Sequence, residues 1–215
     1  VSVSEDSRPG TGGKRLPAAQ RRRQILERAT AIFAEKGLNG ARVRDIAAAC
    51  GVTEAILYRH FPSKEALFET ALVEKIAEHD VEAFLAGLDR SAPLEETCSR
   101  IAERILEIGL NDTTVHRLLI NASLSGSERT RGVYVRWRMP FVEYVENLIR
   151  EGIESGELRE VDPLLTARAM VGLVMDCVLS CQMWETLGYS QAQPGALIHN
   201  NVPTFVRGLR KSRES

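Results

Sequence analysis

Cysteine is scarce in this chain: Cys50, Cys98, Cys177 and Cys181 are the only four among 215 residues. No two form a CxxC pair, and none stands at zinc-ligand spacing from a histidine, so neither a disulfide framework nor a zinc module is encoded. They lie within apolar helical patterns and read as reduced thiols of a cytoplasmic protein. No leader-like apolar core is present near residue 1, and the longest apolar stretch, Ala169 to Met175, falls far short of the roughly 20 residues of a membrane span. Glycine patterns of the GxGxxG or P-loop type are missing, as are a paired nucleophile and base and clustered carboxylates at metal spacing. No enzyme active site, metal or cofactor is therefore expected, and no membrane partner. An excess of one charge is lacking too: 28 Lys+Arg face 29 Asp+Glu, a net −1, which excludes a histone-like coat. With 44% hydrophobic residues, the chain is not globally disordered.

What is present becomes visible when the charge is divided. Residues 1–62 carry eleven Lys/Arg against six acids, a balance of +5, and the other 153 residues carry −6. A basic head on an acidic body suits a protein of which one end meets a polyanion. Residues 1–16, rich in Ser, Gly and Pro, read as a flexible basic tail.

From Pro17 onward the apolar residues recur at helical spacing, and no run alternates with period two long enough for a strand. Ile25, Leu26, Ala29, Ile32 and Phe33 share one face of a first helix that Gly37 ends. Val43, Ile46, Ala47 and Cys50 mark a second, stopped at Gly51; Ile56, Leu57 and Phe61 mark a third, halted before Pro62. Ser63 offers an N-cap for a fourth helix over 63–79. Further stripes are Leu94/Cys98/Ile101/Ile105/Ile108, a short helix capped by Asp112, and a long helix around 133–154 with Pro140 as a kink. Asp162-Pro163 starts the next helix, and the last spans about 194–211. The fold class is all-α, with about nine helices.

The two short helices joined by Cys50-Gly51-Val52-Thr53 form a helix-turn-helix pattern, in which residues 43–50 brace residues 54–60 for insertion into a major groove. Around it runs Phe33-Ala34-Glu35-Lys36-Gly37, then Val43-Arg44-Asp45-Ile46-Ala47, then Gly51-Val52, then Leu57-Tyr58-Arg59-His60-Phe61-Pro62-Ser63-Lys64-Glu65-Ala66-Leu67. This string closely resembles the TetR family of bacterial transcriptional regulators over residues 20–70. Gly156-Glu157-Leu158-Arg159 followed by Asp162-Pro163 is a second, weaker resemblance.

The resemblance implies a three-helix DNA-binding domain over 17–62 and a helical effector-binding and dimerisation domain over 63–215. It implies binding of a homodimer to palindromic double-stranded DNA and response to a small-molecule effector. Arg44 looks like the family residue that reaches a base edge or phosphate. Thr53, Ala55, Tyr58, Arg59 and His60 occupy the recognition face, and Lys64 resembles a lysine that contacts backbone phosphate. Tyr58 has packing, and Lys64 plain solvation, as the alternative role. Arg21, Arg22 and Arg23 read either as a DNA-contacting arm or as an exposed basic first turn. Two departures stand out. Ala41-Arg42 replaces the usual hydroxyl pair, removing an N-cap oxygen while Arg42 adds a phosphate contact. Glu54-Ala55-Ile56 replaces a common Lys-Gly-Thr, and Glu54 can accept from a cytosine amine.

In the body, the penultimate helix is apolar nearly all round and is expected to be buried on two sides. Gly172, Asp176 and Ser180 form a small-polar stripe suited to a close helix contact across a dimer, with Asp176 facing water or a pocket as the rival. Ile198, Val202, Phe205 and Leu209 are expected to complete the interface, against plain packing within the chain. Trp137, Phe141, Tyr144, Met170, Val174 and Cys177, with His116 as a polar group, are candidates for an effector pocket, against ordinary core. The expected mechanism is a population shift: effector moves helix 63–79 and changes the separation of the two recognition helices. Two other readings compete. One is a thiol redox-sensing regulator using Cys177 and Cys181; the other is a helical interaction protein that does not bind DNA.

Overall fold

A computed structural model of the chain describes residues 17–186 and 194–211. Among them there are ten helices and no strand: α1 Ala18–Gly40, α2 Val43–Ala49, α3 Glu54–His60, α4 Lys64–Ala77, α5 Val81–Ala86, α6 Leu94–Asn111, α7 Thr113–Ser123, α8 Glu128–Glu154, α9 Pro163–Thr186 and α10 Pro194–Leu209. The expected N-terminal tail lies outside the described residues. The helix beyond the expected nine is α5, whose six residues are too few to show a stripe. It is started by Asp80, which takes a left-handed backbone (φ 38°) and accepts the Ala83 N–H at 3.2 Å.

The start signals act as local chemistry dictates. Ser63 accepts from the Ala66 N–H at 3.0 Å, Asp112 from Val115 at 3.1 Å and Asp162 from Leu165 at 2.8 Å. The long helix begins at Glu128 rather than 133, because Ser127 caps it through the Thr130 N–H. Pro140 does not interrupt α8; lacking an N–H, it leaves the Arg136 carbonyl without its i+4 donor.

Phe33 of α1 and Phe68 of α4 meet edge to face, with ring centroids 5.1 Å apart, and both are fully buried. The first half of α4 thus closes the core of the N-terminal helices. The same helix also packs on α7 and α8. Gly37 breaks α1 with φ 68°, and a Cβ there would stand 2.5 Å from Asn121 Oδ1 of α7. The head is therefore seated on the body through α1–α7 as well as α4.

The body is a bundle in which α9 packs on α6, α8 and α10, and α6 packs on α10. The Gly156-Glu157-Leu158-Arg159 segment ties two of its ends together. Leu158 is buried, the Arg159 N–H donates to the Leu209 carbonyl at 2.9 Å, and Arg159 Nε donates to the Gly208 carbonyl at 2.7 Å. A cation at the C-terminal carbonyls of α10 satisfies orphan acceptors and opposes the helix dipole.

One expectation changes here. Ile198, Val202 and Leu209 of α10 are all buried within the single chain, where α10 packs on α6 and α9, and Phe205 is half-buried. That stripe is core, leaving those three residues no surface for a partner. In α9, Ala167, Met170, Val171, Val174, Cys177 and Val178 are buried, but Leu164, Leu165 and Leu179 remain exposed. Residues Pro163–Cys181 are by length and composition apolar enough to cross a membrane, a property the short unbroken runs of the sequence conceal. Only 33% of that segment is buried, so the chain itself covers one side of α9, and the second side is the one the sequence assigned to a dimer seam.

Candidate nucleic-acid interface

The head is built around Ile25, Ala29 and Phe33 of α1, Ile46 and Ala47 of α2, Leu57 of α3, and Leu67 and Phe68 of α4, each essentially inaccessible. The turn between α2 and α3 is fixed by backbone bonds: Gly51 N–H to the Ala48 carbonyl, and Val52 N–H to the Ala47 carbonyl at 3.0 Å. Gly51 has φ 64°, a conformation that a side chain disfavours, so the helix can end and the chain reverse within three residues. Thr53 then caps α3, its hydroxyl accepting from the Ile56 N–H at 3.3 Å. The Thr53 hydroxyl is thereby oriented by its own helix.

Leu57 is the single fully buried residue of α3. Every other side chain of that helix is left partly or wholly in solvent: Glu54, Ala55, Tyr58 and Arg59 are exposed, Ile56 and His60 half-exposed. Tyr58 is 44% accessible, which removes packing as its main role. Arg42 and Arg44 are exposed beside them, Arg44 making one surface contact with Asp45 at 3.5 Å. Arg42 is the N-cap residue of α2 and provides no side-chain cap, as its chemistry requires. The expected recognition face thus forms one accessible, largely cationic surface. Between it and the start of α1 lies a cleft of about 420 Å³ lined by Ala18, Arg21, Gly51, Val52, Ile56, Arg59 and His60.

Lys64 is less free than the sequence suggests. Its ammonium donates to the Ala41 carbonyl at 3.2 Å and pins the segment leading into α2; two of its three donors remain. The arginine triplet lies within the first two turns of α1, which starts at Ala18. Arg21 donates to Gln24 at 2.8 Å, and Arg22 lies 4.8 Å over the Phe61 ring and 3.5 Å from Glu74. Arg23 alone of the three is fully exposed.

Sequence reasoning missed one group behind this surface. Glu69 of α4 is 7% accessible; its carboxylate accepts from Arg129 Nε at 2.7 Å and from the Thr130 hydroxyl at 3.4 Å, both on α8. An acid inside the Leu67/Phe68/Ala71/Leu72 stripe was the available signal.

The candidate effector residues lie deep in the body. His116, Trp137, Phe141, Met170, Val174 and Cys177 are buried and Tyr144 is half-buried. His116 Nε2 and Trp137 Nε1 have no hydrogen-bond partner, and burial lowers the His116 pKa from 6.5. Trp137 also lines a cleft of about 320 Å³ with Ile76, Ala77, Asp80, Val81, Glu82, Arg136 and Pro140. Burial raises the thiol pKa of Cys177 and of Cys181, the reverse of what a reactive thiolate needs. Among the described residues no group of His, Cys, Asp or Glu could hold a metal ion.

Comparison with known proteins agrees with this geometry. Residues 25–71 match the model of bacterial regulatory proteins of the tetR family, and residues 91–179 match a tetracyclin repressor-like C-terminal domain. The HTH-type transcriptional regulator YhgD of Bacillus subtilis is 26% identical over 77% of this chain and 84% of its own length. Among solved structures, the transcriptional regulator FadR from Bacillus subtilis, in complex with stearoyl-CoA, superposes with a TM-score of 0.68 at 20% identity, covering 87% of this chain and 99% of that one. AibR, in complex with isovaleryl coenzyme A and operator DNA, superposes with a TM-score of 0.66 at 23% identity over 86% and 97% of the two chains. The exposed helix-turn-helix surface, the helical body behind it and both family matches lead to one conclusion: this chain belongs to the TetR family and is a DNA-binding transcriptional regulator.

Proposed function

We propose that the chain is a ligand-responsive repressor that binds a palindromic operator as a homodimer and is released by a small-molecule effector, acting by binding rather than catalysis, in the cytoplasm. The observation that carries the DNA half is the surface of α3, which has one buried anchor, Leu57, and presents the rest of its side chains outward. Arg44, Arg59 and Glu54 read base edges, and Arg42, Thr53, Tyr58, His60 and Lys64 bind or position phosphate. Ala55 allows close approach to the groove floor. The DNA-binding unit is taken as residues 17–62 and the effector and dimer unit as 63–215.

The effector half rests on the unpartnered polar atoms of the body. His116 Nε2 and Trp137 Nε1 are buried without partners, as groups reserved for a ligand would be. The cleft beside Trp137 lies between the α4–α5 turn and α8, so an occupant there bears on the end of α4. Movement of α4 is passed to α3 through the short Phe61–Ser63 connection, and changes the spacing of roughly 34–36 Å that two successive major grooves demand. Because FadR and AibR hold acyl-CoA esters in the same fold, acyl-CoA thioesters are the effector class proposed. A tenfold loss of operator affinity needs only about 1.4 kcal/mol of differential binding.

Duplexes selected by the protein from a random library should share a palindrome, and one acyl-CoA chain length in a graded series should release them. Selection without any palindrome would refute dimeric operator binding. If no thioester in the series alters DNA affinity, the effector class is wrong.

A further inference from the structure

Arg21, Arg22 and Arg23 follow one another in α1, so their side chains leave the helix about 100° apart and meet three different surroundings. Arg21 lines the cleft beside Arg59 and His60, Arg23 stands in solvent, and Arg22 turns onto the corner between α3 and α4. The Arg22 guanidinium lies 4.8 Å from the centre of the Phe61 ring, and its Nη1 is 3.5 Å from Glu74 Oε1 of α4. Phe61 is 2% accessible, while the Arg22 side chain above it keeps 43% of its surface. The guanidinium is therefore the outer lid of a buried ring.

Phe61 is where the recognition helix ends. As C-cap of α3 its N–H donates to the Leu57 carbonyl at 3.0 Å, and Pro62-Ser63 lead straight into α4. The turn bonds at Gly51 and Val52 fix the other end of α3, and Leu57 anchors its middle. The direction of the helix axis is then set by where Phe61 is held. We infer that Arg22 is a positioning residue for DNA recognition: held between Phe61 and Glu74, it clamps the end of α3 to α1 and α4 and so aims that helix, without touching DNA itself. The inference rests on α3 being the reading helix, and it adds a residue that lies behind the recognition surface rather than on it.

Arginine suits this post better than lysine. A planar guanidinium can lie over a ring and still offer N–H groups at its edge to a carboxylate, whereas an ammonium is a compact point charge. The ion pair alone contributes little, because the Glu74 side chain is 55% exposed. Its use is geometric: it keeps the guanidinium from swinging off the ring. Neighbouring cations of α1 can thereby differ in kind. An arginine on phosphate adds affinity for any duplex, and an arginine that aims α3 adds affinity only where the bases match.

Fluorescence anisotropy of the full chain on the selected operator duplex and on a scrambled duplex, over a series of KCl concentrations, tests the assignment, with melting temperature as the folding control. Arg22→Gln should weaken operator binding about threefold to fivefold, the worth of an exposed cation–ring contact, and leave scrambled-duplex affinity and the operator salt slope unchanged. Arg22→Lys should recover part of that loss. Glu74→Gln, at an exposed site that folding tolerates, decides the sign. Removing an acid should tighten binding to a polyanion by charge alone, whereas loosening the clamp should weaken it on the operator. The double variant should then bind no more weakly than Arg22→Gln. Equal losses on both duplexes, with the slope reduced by about one, would make Arg22 a phosphate contact and overturn the inference. Unchanged operator affinity in Arg22→Gln, or tighter operator binding by Glu74→Gln, would overturn it too. A wild-type chain that does not distinguish the two duplexes overturns α3 as the reading helix, and the clamp with it.

Discussion

Leu57→Ala separates the holding of the recognition helix from the reading of DNA. α3 has seven residues, too few to be helical alone, and Leu57 is its single fully buried side chain. Truncation removes three carbon groups from a site with no solvent access. At about 0.8 kcal/mol per group that is about 2.4 kcal/mol, and incomplete collapse of the cavity brings the cost to about 3 kcal/mol. For a two-state chain of this size the melting temperature should fall by roughly 6–12 °C. Operator affinity, read by fluorescence anisotropy on the selected duplex, should fall as well, because α3 detaches while α1 and α4 keep the Phe33–Phe68 contact. Arg59→Ala is the counterpart: an exposed side chain whose loss should weaken DNA binding and leave the melting temperature within about 1 °C. A Leu57→Ala protein that melts like wild type would refute the single-anchor account. An Arg59→Ala protein that melts early would refute the assignment of that residue to the interface.

Five further outcomes are expected. Arg44→Ala with Tyr58→Ala should abolish operator binding, and replacing Arg42 should reduce the slope of log affinity against log salt by about one. Intact binding by the first variant, or an unchanged slope with the second, would remove these residues from the interface. Glu69→Ala leaves the buried Thr130 hydroxyl unpaired and should cost about 1–3 kcal/mol, much of it recovered by adding Thr130→Val; strict additivity of the two losses would rule out their coupling. Gly37→Ala forces a Cβ into φ 68° and against Asn121, so it should destabilise by at least about 1 kcal/mol, of which Asn121→Gly relieves only the steric part. His116 is neutral when folded because burial lowers its pKa below 6.5. As pH falls through 6.5 the unfolded chain takes up a proton that the folded chain refuses, so stability drops between pH 7 and the folded-state pKa. His116→Gln should flatten that part of a melting-temperature profile, and an unflattened profile would assign the drop to another group.

Much of the head was legible in residues 20–70 because its determinants are local. A turn glycine and a short apolar stripe each act within one helical turn, and the structure places them where spacing said, whereas the cap at Thr53 came only with the structure. Lys64 was misjudged in part because its partner, the Ala41 carbonyl, lies 23 residues away. Nothing in the sequence of α4 names Arg129 or Thr130 as the groups that allow Glu69 to be buried. α5 escaped notice for the opposite reason, being local but too short to carry a period.

By itself the sequence determined the helical class, the starts capped at Ser63, Asp112 and Asp162, and the concentration of positive charge at one end, since propensity, capping and formal charge need no partner. Which side of each apolar helix is covered was decided only by the tertiary structure. The stripes of α9 and α10 look alike in sequence, yet α10 spends Ile198, Val202 and Leu209 on α6 and α9, and α9 keeps Leu165 and Leu179 in the open. An apolar stripe specifies that burial lowers the free energy, and long-range packing specifies against what.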